Sequence, residues 1–169
     1  MKWFWLINLG LFQASWLVAA FFTQYAAPII FAFICLNFYL SPSPKADFKL
    51  LALIGVGICI DSLHFYLGTF KADTRFFPIW LIMLWAMFSI SFNHSFNWFT
   101  KQAYWLLALV GAVGGTLSYW GGIKAGALSN SDLSTSTSLI YLALSWAIVF
   151  PLLVKVYRQL VPSDFYQVR

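Results

Sequence analysis

The sequence predicts an all-α fold: a polytopic bundle of six membrane-spanning helices with both termini cytoplasmic. Three observations carry that prediction. Only 9% of the residues are charged and 62% are hydrophobic, whereas a soluble domain carries roughly 25% charged residues. The apolar residues fall into six runs close to the length a bilayer demands, and Lys and Arg sort unevenly between the connections. With a mean hydropathy of +0.79, lipid must be the solvent for much of the surface.

A hydrocarbon core of roughly 30 Å needs about 20 apolar residues per helix. The first run, 3–22, follows Lys2. It is longer than the hydrophobic stretch of a secretory signal and no small-x-small cleavage site follows it, so it reads as a membrane helix. The second, 26–40, is short and follows a break at "TQYAAP". The third is 50–70. The fourth, 77–96, has Pro78 in its first turn, where a missing N–H matters least. The fifth is 102–122 and the sixth 138–155. "SPSPKADFK" and "SNSDLSTSTS" are polar, turn-rich connections. Together these make one integral-membrane domain over 1–169, with no soluble domain and no secure internal repeat.

Orientation follows from the basic residues. Lys2, Lys45, Lys49, Lys101, Lys155, Arg158 and Arg169 fall on the side of the termini, and Lys71, Arg75 and Lys124 on the other. Seven against three places both ends in the cytoplasm. The clusters "WFW", "NWF" and "DFY" then lie at that interface, where amphipathic rings are favoured. The net charge of +5 is therefore a topology signal, and nucleic acid is not an expected partner.

Within the third run, "GICIDSLHFYLG" sets Gly57, Asp61, His64 and Gly68 along one helical stripe. A mid-membrane Asp costs about 2.5–3.5 kcal/mol on insertion scales, so it needs a partner or a wet pocket, and its default reading is a functional site. Asp61 and His64 could pair as acid and base, the carboxylate orienting the imidazole; the competing reading makes both interhelical hydrogen-bonding groups. At about 1.5 Å per residue, Tyr119, Thr116, Ser118 and Ser145 come out near the same depth and could close a polar pocket. In the fifth run Gly111, Gly115, Ser118, Gly122 and Gly126 form a small-residue stripe for close helix packing. His94, after Asn93, reads as an interface residue, and Asn8, Gln13 and Asn37 as single polar bridges between helices. Cys35 and Cys59 read as small hydrophobes. H-E-x-x-H, G-x-S-x-G and paired zinc spacings are absent, so neither a metal nor another cofactor is expected.

The order of "DSLHFYLG", "PIWLIMLWAMF" and "GAVGGTLSYWGGIKAGAL" resembles a domain-of-unknown-function family of small bacterial inner-membrane proteins. The resemblance covers nearly the whole chain. It rests on an Asp in the third span (Asp61), a Pro-x-Trp-Leu then Leu-Trp pattern (Pro78, Trp80, Leu81, Leu84, Trp85) and a Gly-Gly-x-x-x-Tyr (Gly114, Gly115, Tyr119). The family often has Pro after the double glycine, where this chain has Thr116. The resemblance implies a bacterial inner-membrane, multi-pass location, and its members' association with lipid-modifying enzymes implies a lipid.

Three functional readings follow. The leading one binds or modifies a lipid-like molecule, with Asp61, His64 and Tyr119 as catalytic candidates and Thr116, Ser118 and Ser145 holding the substrate. Gly57, Gly68, Gly111, Gly115 and Gly122 would pack the helices. The second is a non-catalytic subunit packed against a partner membrane protein or a second copy of the chain. The third is a small proton-coupled transporter that titrates Asp61.

Overall fold

The computed structural model describes residues 3–74, 76–129 and 133–161. Lys2, Arg75 and Arg169 of the charge count, and the "DFY" cluster, lie outside them. The chain is helical throughout: α1 (Phe4–Phe21), α2 (Thr23–Leu40), α3 (Pro44–Leu50), α4 (Ile54–Tyr66), α5 (Ile79–Ser91), α6 (Tyr104–Ala125) and α7 (Thr135–Leu160). No strand occurs among the described residues. Five stretches are long and apolar enough to cross a membrane: α1, α2, Pro44–Tyr66 (α3 and α4 joined through a 3-10 turn), α6 and α7.

The fourth predicted span differs from its expectation. Helix α5 has 13 residues, about 20 Å at the helical rise, which is short of a membrane-length helix. The apolar run continues to Phe96, but the backbone leaves the α-helix after Ser91 into successive turns. Those turns carry Asn93 and His94 to a buried carboxylate described below. The second span, by contrast, is longer than its apolar run: α2 begins at Thr23, immediately after the break at Phe22 (φ −132°, ψ 41°).

Helix ends follow local chemistry. Pro44 starts α3 at a position that has no hydrogen bond to lose. Ser134 caps α7 by accepting from the Thr137 N–H at 3.2 Å. Gly68 and Gly126 adopt left-handed φ values of 67° and 91°, the conformation a glycine supplies past a helix C-terminus. Gly68 therefore ends α4 and Gly126 ends α6.

The elements are anchored at two ends. At one end Asn8 of α1 donates to Asn37 of α2 (3.0 Å) and accepts from Ser95 after α5 (2.6 Å). There too Arg158 of α7 donates to the Thr100 and Gln102 carbonyls (2.8 and 2.9 Å). At the other end Lys71, between α4 and α5, bridges to Ser129, between α6 and α7. Helix α5 joins the two ends through the middle of the bundle, with Trp80, Leu81, Trp85, Ala86, Met87, Ser89, Ile90 and Ser91 buried. The outer surface is apolar: Leu109, Val113 and Leu117 form one exposed row on α6, and Ile140, Leu144, Ile148 and Leu152 another on α7. Cys35 and Cys59 are free, outward-facing thiols.

Candidate functional site

Asp61 is fully buried in α4, and the sequence around it explains how. Gly57 lies one turn earlier on the same face and has no side chain. The Trp85 indole of α5 therefore rests on the α4 backbone; a Cβ at Gly57 would fall 2.1 Å from Trp85 Cδ2. This approach delivers the Trp85 Nε1–H to Asp61 Oδ2 at 2.6 Å. From α6 the Tyr119 hydroxyl donates to Asp61 Oδ1 at 2.5 Å. Each carboxylate oxygen thus accepts one hydrogen bond. Bonds to a charged group contribute about 1.5–3 kcal/mol each, enough between them to offset the insertion cost of the carboxylate.

A second layer fixes the donors. Trp85 stacks on Trp146 of α7, with ring centroids 5.6 Å apart and planes within 1°. Trp146 in turn sits over glycines of α6. A Cβ at Gly115 would lie 2.2 Å from the Trp146 ring, and one at Gly111 would lie 2.3 Å from the Trp146 carbonyl oxygen. Three residues that carry the family resemblance, Asp61, Trp85 and Tyr119, therefore meet in one hydrogen-bonded unit, backed by a fourth, Gly115.

The other sequence candidates go elsewhere. His64 is buried, but neither ring nitrogen has a hydrogen-bond partner; its ring stacks on Phe70 at 5.6 Å. Three residues along a helix fall about 60° short of a full turn, which separates the imidazole from the Asp61 carboxylate. No Asp61–His64 bond forms. The Thr116 hydroxyl is buried without a partner. Ser145 donates to the Tyr141 carbonyl of its own helix at 2.8 Å. Ser118 accepts from the Trp16 Nε1–H of α1 at 2.8 Å. A Cβ at Gly122 would meet nothing within 4 Å, because that glycine borders open space.

That space is a cavity of about 520 Å³ between α1, α5, α6 and α7. Ten of its lining residues are aromatic, Trp16, Trp85, Phe88, Tyr119 and Trp146 among them. Gln13, Ser118 and Tyr119 supply polar side chains. Gln13, Gly114 and Leu117 belong to the lining and are also exposed on the outer surface, so the mouth lies between α1 and α6. Asp61 and His64 are not in the lining. Asp61 stands behind the wall, holding two residues that form it.

A second polar cluster lies at the end of the bundle where α1 begins. Asp47 of α3 is fully buried. It accepts from Ser41 Oγ at 2.5 Å and from Asn93 Nδ2 at 2.6 Å, and it pairs with His94 Nε2 at 2.8 Å. Phe4 covers His94 edge-on at 4.6 Å. His94, at this end of the bundle, is thus held against a buried carboxylate, its own side chain buried as well. Through the Asn93 and His94 contacts the cluster clamps α3 to the end of α5. Asp47 is not legible as a site in "SPSPKADFK", where a charge reads as solvated; the local signal is Pro44, which marks a helix start just before it.

Comparisons with curated proteins and with solved structures return no match for this chain. A family model does match, over residues 5–152. By that match the chain belongs to the family described as "Protein of unknown function (DUF2878)".

Proposed function

We propose that this protein is a six-crossing inner-membrane bundle, both termini cytoplasmic, that admits an apolar, lipid-like molecule sideways into the cavity between α1 and α6. The observation that carries this reading is the cavity itself. At about 520 Å³ it falls in the range of ligand pockets, about 300–1,000 Å³. Its lining is largely aromatic, and its mouth lies on the apolar outer surface, where lipid chains would stand. The six crossings are supported by α5 joining the two ends of the bundle, the turns after Ser91 completing the passage. The five described basic residues Lys45, Lys49, Lys101, Lys155 and Arg158 against Lys71 and Lys124 support the orientation.

In this reading Asp61 positions Tyr119 and Trp85 and does not react. Both of its oxygens are engaged by protein donors, which argues against a catalytic or proton-carrying role. The protein is then a binder or carrier of its lipid. The test is native mass spectrometry of protein released from membranes, compared with Gly114→Phe. A Cβ at Gly114 meets nothing within 4 Å, so the new ring can fill the cavity without displacing a helix. The wild type should retain an apolar molecule and the variant should lose it. A wild type with no bound molecule would defeat the reading.

A further inference from the structure

The cavity wall carries a second message, in the donors left uncommitted on it. Trp85 N–H and Tyr119 O–H are both spent on Asp61. Ser118 Oγ accepts from Trp16, but its own O–H donates to no described residue. Gln13 lines the cavity at its mouth, midway along α1, and its amide makes no hydrogen bond to any described residue. An unpaired primary amide in the middle of an apolar helix is unfavourable. A saturated acyl chain in the cavity would leave both donors unanswered.

Acceptor oxygens on the occupant would answer them. The walls also favour a flat partner, because ten aromatic residues line the space and aromatic rings pair with one another in offset or edge-on arrangements. The lateral mouth leaves room for an apolar tail to run out among lipids. We propose that the occupant is a planar conjugated ring bearing carbonyl oxygens on an apolar tail, the chemistry of a membrane quinone, with Gln13 and Ser118 as its hydrogen-bond donors. This rests on the cavity reading above and adds to it the class of ligand.

The test uses full-length protein in nanodiscs and three probes: decylbenzoquinone, decylbenzene (the ring without oxygens) and a saturated dialkyl ketone (the oxygen without a ring). The quinone should bind at least about tenfold more tightly than either control, as one or two good hydrogen bonds plus stacking allow. Gln13→Leu should weaken the quinone about fivefold to tenfold and leave decylbenzene unchanged; Gln13 is exposed, so the variant should fold. Equal binding of the quinone and either control would overturn the proposal and leave the cavity reading standing. So would a Gln13→Leu variant that keeps full quinone affinity. Failure of all three probes to bind would remove both.

Discussion

Two alanines placed two residues apart on α4 should have opposite effects. At Gly57 a Cβ would fall 2.1 Å from Trp85 Cδ2, whereas at Gly55 it would meet nothing within 4 Å. Carbon atoms rest at about 3.5–4.0 Å, so Gly57→Ala must push the indole by roughly 1.5 Å. That ring is caught between α4 and the stacked Trp146, and moving it breaks the 2.6 Å bond to Asp61. Overpacking costs about 1–3 kcal/mol, and the lost bond to a carboxylate about 1.5–3 kcal/mol. Gly57→Ala should therefore destabilise by about 3 kcal/mol or more. Gly55→Ala should stabilise by up to about 1 kcal/mol, the helix-propensity gain of Ala over Gly. The assay is reversible unfolding in mixed detergent micelles, followed by tryptophan fluorescence. Two variants equal within about 0.5 kcal/mol, the scatter of surface substitutions, would refute the packing of Trp85 on Gly57.

At Asp61 the two oxygens face separate donors, and Tyr119 can reverse its hydroxyl to accept from an amide. Asp61→Asn should thus change stability by about 1.5 kcal/mol or less, while Asp61→Leu strands two buried donors at about 1–3 kcal/mol each; the same unfolding assay should rank them, and equal losses would contradict the two-donor geometry. Gly115→Leu should unfold at lower denaturant than Gly114→Leu, because a Cβ meets the Trp146 ring at 2.2 Å at the first position and open space at the second; the reverse order would mean that α6 turns its other face to α7. A reporter that works only in the cytoplasm should be active when fused after Arg169, and activity there of a reporter that works only outside the cytoplasm would invert the proposed topology.

Much of the fold is legible in the sequence because lipid imposes a single rule, that long runs be apolar and helical. The six runs correspond to α1, α2, α3–α4, α5, α6 and α7. What pattern could not reveal depends on contacts distant in sequence. Helix α5 ends early because Asn93 and His94 turn toward Asp47, a residue 46 positions before Asn93, and no local feature of "SISFNHSFNWF" announces that partner. Depth along the helices was enough to suggest Asp61 with Tyr119. It could not fix rotation, and rotation decides that His64 faces Phe70, that Ser145 bonds its own helix and that Ser118 faces Trp16. Asn8 and Asn37 do bridge two helices as single polar residues in apolar runs are expected to. Gln13, read the same way, borders the cavity instead.

The central claim is that the space between α1 and α6 holds a molecule taken from the membrane. The most direct measurement is a density map of the protein reconstituted in native lipid. The account predicts elongated density entering past Gln13 and Gly114 and ending against Trp85, Tyr119 and Trp146. A map in which α1 closes onto α6, with side chains filling that space, would contradict it.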